Sequence, residues 1–215
     1  MARILITGVN RGIGAALVAE ARARGHEVIG TTRDGAGGTL ALTLDDPDRI
    51  AGQLAGQVRG PLDILINNAG VIGPERQATT DMDWAGFAQT LAVNTMAPLA
   101  VAQACLPTLR QSPGARILTV SSQMAYMGYA KSDRIAYRAS KSAVNKVMQG
   151  LATDLASEGI ASILVDPGWV RTDMGGAEAE EEAADVAAGI IALAERAAMA
   201  ETGGFYRFTG EERDF

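Results

Sequence analysis

At 215 residues the chain fits one large domain better than two cramped ones, given ~100–200 residues per domain. Hydrophobic residues at 47% and charged residues at 20% supply a sizeable core and exclude a disordered chain. The 25 acidic residues outnumber 19 scattered basic ones, which argues against a nucleic-acid-binding face, and one Cys and one His remove an intramolecular disulfide and most metal or Ser-His-Asp sites.

From the N-terminus, an aliphatic run predicts a strand at Arg3 to Thr7, followed by helical spacing from Ile13 to Arg24 and a second strand at Glu27 to Thr32. Helical spacing returns at Asp48 to Val58, then a strand at Leu62 to Asn67 and a long helix at Trp84 to Arg110. The alternation continues with a strand at Arg116 to Ser121, a helix at Tyr137 to Ser157, a strand at Ala161 to Asp166, a helix at Asp185 to Met199 and a strand at Gly204 to Phe208. Runs such as Ile4-Leu5-Ile6 and Ile64-Leu65-Ile66 are apolar on both faces, as strands are when helices cover both sides of a parallel sheet. The expected fold is α/β: a Rossmann-type doubly wound parallel sheet in a single domain spanning 1–215. Met1 to Thr7 is too short for a signal-peptide core, and longer apolar stretches such as Ala183 to Ala200 are broken by Asp185, Glu195 and Arg196. No membrane span is expected, and the cytoplasm is the default location. His26, at a helix-to-strand turn, is expected in solvent, and Cys105 in the core.

Directly after the first strand stands Thr7-Gly8-Val9-Asn10-Arg11-Gly12-Ile13-Gly14, leading into a helix. Glycines there let the backbone turn sharply and approach a pyrophosphate, whose charge then meets the helix N-terminus. The spacing Gly-x-x-x-Gly-x-Gly, followed by Asn67-Asn68-Ala69-Gly70, Asn94, Ser121-Ser122, Tyr137-Arg138-Ala139-Ser140-Lys141 and Asp166-Pro167-Gly168, resembles the short-chain dehydrogenase/reductase family. The segment 167–176 and the tail 204–212 look like that family's C-factor and sniffer-like carbonyl reductase branch.

Tyr137 and Lys141, four apart on a helix, share one face. A tyrosine hydroxyl ordinarily titrates near ~10, and a neighbouring ammonium favours the phenolate, so Lys141 is expected to lower it. The resemblance implies Tyr137 as general acid, Ser122 rather than Ser121 as the hydroxyl that polarises a carbonyl, and Lys141 as the group that holds the ribose. It also implies an Asn94-held water as a proton relay. Pro98 has no N–H to return to the Asn94 carbonyl, so a water has room there.

Cofactor contacts are expected from Gly8, Asn10, Arg11, Gly12, Ile13, Gly14, Asn68, Ala69, Gly70, Pro167, Gly168, Val170 and Thr172, with Asp45, read as a strand end, on the adenine. Thr32 stands where NAD-preferring enzymes carry an acid, and Arg33 with Arg11 offers two guanidinium groups to a 2′-phosphate. NADP(H) is therefore the expected cofactor, although Arg33 could instead pair with Asp34. The expected activity is NADPH-dependent reduction of an aldehyde or ketone, without a metal, with a small molecule as the partner and neither nucleic acid nor membrane. The alternative is a cofactor-binding signalling or sensor protein with vestigial catalysis. The resemblance further implies a homodimer or homotetramer built on helix pairs. A short lid near 174–184, carrying Glu178 and Glu180 to Glu182, is expected to repel anionic substrates, and Met124, Tyr126, Met127, Trp169 and Met174 are expected to line the pocket.

Overall fold

The computed structural model describes residues 1–215. Its main sheet has seven parallel strands in the order β3-β2-β1-β4-β7-β8-β9. These are β1 (Arg3–Thr7), β2 (Glu27–Thr32), β3 (Leu40–Ala41), β4 (Ile64–Asn67), β7 (Arg116–Val120), β8 (Ala161–Asp166) and β9 (Phe205–Arg207). A small antiparallel hairpin, β5 (Gln77–Ala78) and β6 (Asp81–Met82), stands apart and was not legible in the sequence. The helices are α1 (Gly12–Ala23), α2 (Pro47–Leu54), α3 (Trp84–Leu91), α4 (Ala97–Leu109), α5 (Ile135–Leu155) and α6 (Ala183–Arg196).

Strand alternation sorts the core into two layers. Leu5 and Leu65 point to one face, where Ile50 of α2, Val101 of α4 and Met148 of α5 cover them. Ile4, Ile6, Ile64 and Ile66 point to the other, against Leu17 of α1 and Ile190 of α6. The doubly wound single sheet expected from the sequence is thus present. It differs in detail at its edge, since β3 is only two residues long and ends at Ala41. Asp45 therefore lies in the loop before α2 rather than at a strand end.

The predicted helix 84–110 is one rod interrupted by a π-turn at Ala92–Met96, which joins α3 to α4. One premise of the expectation about membrane spans is corrected: charges do not break every long apolar stretch, because the 26-residue Trp84–Leu109 contains an 18-residue window of mean hydropathy 1.2 and satisfies the length and composition of a span. Its apolarity has another cause here, because Ala97, Val101, Cys105 and Leu109 are core residues beneath the sheet. His26 is corrected too. Its ring is 7% exposed, with Nδ1 accepting from the Ala2 N–H at 3.1 Å and Nε2 lying 2.9 Å from the Glu195 carboxylate. It ties the start of β1 to α6. Cys105 is buried as expected.

Candidate active site

Parallel strands deliver their loops to one end, and the switch in strand order between β1 and β4 opens a crevice there. A cleft of about 1650 Å³ occupies it. Its floor begins with the turn after β1, where the Gly8 and Val9 N–H groups both donate to the Thr31 carbonyl at 3.0 Å. A Cβ at Gly14 would stand 2.0 Å from the Gly8 carbonyl oxygen, and one at Gly8, at φ +70°, 2.9 Å from the Ala69 Cβ. These two positions admit only glycine, and their bare backbone forms a cradle open to a large anion. Thr7 and Asn68 hold it in shape: the Asn68 and Ala69 N–H groups donate to Thr7 Oγ1 at 3.0 and 3.1 Å, and Asn68 Nδ2 donates to the Thr7 and Gly8 carbonyls.

The other half of the cleft is built by β7 and α5. Ser122, 8% exposed, accepts from the Met124 N–H at 3.1 Å and faces the Tyr137 hydroxyl. Ser121 instead turns its hydroxyl inward to Asn145 of α5, which leaves Ser122 as the serine of the cleft. Lys141 Nζ donates to the Val120 carbonyl at 2.7 Å and lies 5.8 Å from the centre of the Tyr137 ring. Burial pushes this ammonium down to about 8.

Burial likewise raises the Tyr137 phenol above its ordinary value; the Ser122 hydroxyl opposes the rise, the Asp166 charge adds to it and Arg134 opposes it. The expected lowering by Lys141 is not found. Its ammonium faces Val120, and in this site desolvation outweighs every charge that favours the phenolate.

Every cofactor residue expected from the sequence, along with Ser122, Tyr137 and Lys141, lines this cleft. Asn94 does not. It is 1% exposed, its Oδ1 accepting from the Val71 N–H and its Nδ2 donating to the Val71 carbonyl and Ser140 Oγ, at 2.8, 2.8 and 3.0 Å. The side chain clamps the loop after β4, so any relay must use the Asn94 main-chain carbonyl. Arg11 pairs across the cleft with Asp173 at 2.7 Å, both exposed, whereas Arg33 makes no ion pair. The alternative pairing with Asp34 is not formed, because Asp34 Oδ1 accepts from Thr32 Oγ1 and the Ala36 N–H.

Two features escaped the sequence reading, and one reading is corrected. Gln77, 8% exposed, donates to the Ile72 and Pro74 carbonyls and accepts from the Tyr137 N–H at 3.2 Å, capping the helix that carries Tyr137. Arg134, the residue before that helix, is the one non-glycine residue at positive φ, +51°. Its guanidinium has no ion-pair partner and lines the cleft. The acidic segment does not line the cleft, which removes the basis for expecting it to repel anions. Glu181 pairs with Arg207 and Glu182 with Arg171, and the Glu181 backbone bonds to Trp169 and Arg171. Of the apolar candidates, Met124, Trp169 and Met174 line the cleft. Tyr126 instead packs edge-on against Tyr129 and Met127 is 79% exposed.

Residues 2–183 match the family model described as short chain dehydrogenase. The chain belongs to the short-chain dehydrogenase family, whose members are oxidoreductases that bind a nicotinamide cofactor. It is 41% identical to the C-signal protein of Myxococcus xanthus over 155 residues, 71% of this chain and 92% of that one. Among solved structures it superposes on the carbonyl reductase Sniffer of D. melanogaster with a TM-score of 0.90 at 28% identity, covering 100% of both chains. The NADPH-bound carbonyl reductase from chicken fatty liver gives 0.88 at 25% identity, covering 100% of this chain and 99% of that one.

Proposed function

We propose that this protein is an NADP(H)-dependent reductase of aldehydes or ketones. The observation that carries this reading is the convergence of Ser122, Tyr137 and Lys141 on the same cleft as the glycine cradle. A nicotinamide, when bound, supplies hydride for a carbonyl carbon. Ser122 orients the carbonyl oxygen by hydrogen bonding. Tyr137, whose phenol is raised above its ordinary value by burial, gives its proton to the oxygen as general acid. Lys141 holds the ribose, and the Asn94 carbonyl, lacking a donor from Pro98, serves the relay that returns the proton.

The cradle of Gly8, Asn10, Arg11, Gly12, Ile13 and Gly14 fits a diphosphate, with Asn68, Ala69 and Gly70 at the adenosine ribose and Asp45 at the adenine. Pro167, Gly168, Val170 and Thr172 flank the carboxamide end. The choice of NADP(H) rests on Arg33, an unpaired cation beside Thr32 where a ribose-binding acid would stand. The NADPH-bound relative supports it. Tyr137→Phe should lower kcat by about 10²-fold or more while leaving the NADPH dissociation constant within about threefold, since only the hydroxyl is removed. A variant retaining more than about a tenth of wild-type kcat would show that Tyr137 is not the acid.

The likeness to C-signal favours a second reading, a nucleotide-binding signalling protein. Retention of Tyr137 and Lys141 in a shared cleft speaks for catalysis. NADPH consumption measured against a panel of aldehydes, ketones and quinones separates the two.

A further inference from the structure

The last residue of β8, Asp166, is fully buried. Its Oδ1 accepts two backbone N–H groups at 3.0 Å each, one from Gln123, the residue after Ser122, and one from Gly168 in the turn that leads to Val170 and Thr172. One carboxylate oxygen thus ties the loop that carries Ser122, leaving β7, to the turn that leaves the neighbouring strand β8. Its Oδ2 accepts from the Arg213 guanidinium at 2.9 Å, the one ion pair Asp166 makes.

Arg213 comes from the segment after β9, which folds back on that strand. The Arg213 N–H donates to the Phe205 carbonyl at 2.7 Å, the Arg207 N–H to the Glu211 carbonyl at 2.7 Å, and the Phe215 ring packs 5.8 Å from that of Phe205. The same strand supplies Arg207 to Glu181, whose backbone is bonded to Trp169 and Arg171. The region beyond the glycine turn is therefore anchored twice, once from β9 through Arg207 and once from the segment folded back on it through Arg213. Burying a carboxylate costs far less when a paired guanidinium compensates its charge, and a charged acceptor makes the stronger bonds to two N–H groups.

We propose that Arg213 and Asp166 form a positioning pair in which the guanidinium, brought from the far end of the chain, compensates and orients the carboxylate, so that it keeps the Ser122 loop and the Gly168 turn at a fixed separation. The pair is not catalytic, since neither group reaches a reacting atom. This proposal rests on the reductase reading for its kinetic consequence and on geometry alone for its structural one.

The test uses the full chain with Arg213→Gln, Arg213→Lys and Asp166→Asn. Backbone amide exchange is followed in the nucleotide-free protein, and kcat, carbonyl KM and NADPH affinity in the loaded one. Arg213→Gln should speed exchange tenfold or more at residues 123–126 and 168–170 while the β1 and β4 amides stay at wild-type rates. It should lower kcat at least tenfold with carbonyl KM and NADPH affinity within threefold of wild type, and Arg213→Lys should recover most of that loss. Asp166→Asn, which keeps an acceptor oxygen but no charge, should resemble Arg213→Gln. Wild-type exchange in both loops of Arg213→Gln, or equal acceleration across the whole sheet, overturns the proposal, as does a Lys variant no better than Gln. If the wild-type protein reduces no carbonyl the reductase reading falls, and the exchange measurement still decides the pair.

Discussion

Lys141 offers a sharp test of the site's electrostatics without requiring turnover. Its ammonium is buried, with the Val120 carbonyl at 2.7 Å and no carboxylate partner, and it titrates at about 8 instead of 10.5. The folded value lies below the unfolded one. Between those two pH values the unfolded chain therefore keeps a proton that the folded chain has released, and stability rises with pH across the window. At about 1.4 kcal/mol per pH unit the gap corresponds to about 3 kcal/mol. Lys141→Met removes the titration while filling similar space. Urea unfolding of both proteins without nucleotide, from about pH 7 to pH 10, should show wild type gaining on the variant by about 2.5 kcal/mol, with most of the gain above about pH 8. Tyr137 and Cys105 titrate in both proteins, so their direct effects cancel in the difference. Stability curves that run parallel across this range would refute the reasoning.

Gly14→Ala forces a Cβ to 2.0 Å from the Gly8 carbonyl oxygen and 2.7 Å from Asn68 Nδ2; it should cost about 3 kcal/mol in thermal unfolding and abolish tight NADPH binding. Arg33→Ala should weaken NADPH about tenfold, about 1.4 kcal/mol, and leave NADH unchanged by fluorescence titration; equal weakening of both would remove Arg33 from the 2′-phosphate. Glu178→Gln with Glu180→Gln should leave kcat/KM for carboxylate-bearing carbonyls within about twofold, because neither side chain lines the cleft, whereas Arg134→Gln should lower it by about threefold or more relative to the matched neutral carbonyl, as expected for loss of one exposed cation. Steady-state kinetics on such substrate pairs decides both, and a rise on removing Glu178 and Glu180 would restore the acidic segment as a barrier.

The order of strands and helices was legible because periodicity is local: two-faced apolar runs such as Ile64-Leu65-Ile66 and the amphipathic spacing of α5 report their own burial. The cleft residues were legible because glycine turns and the Tyr137, Lys141 spacing are also local, each element delivering its residues to the same end of a parallel sheet. What failed depended on partners far away in sequence. His26 looked exposed until α6 supplied Glu195, and Trp84–Leu109, without a single charge to limit it, is a core helix only because the sheet covers it. The charge environment of Tyr137 was misjudged for the same reason. Four-residue spacing put Lys141 on the right face, but the direction of its ammonium was decided by the Val120 carbonyl on β7, and the rise at Tyr137 by burial between loops that no local pattern joins. Side-chain identity and spacing are properties of the chain, whereas desolvation and hydrogen-bond direction exist only once α5, β7 and β8 have packed together.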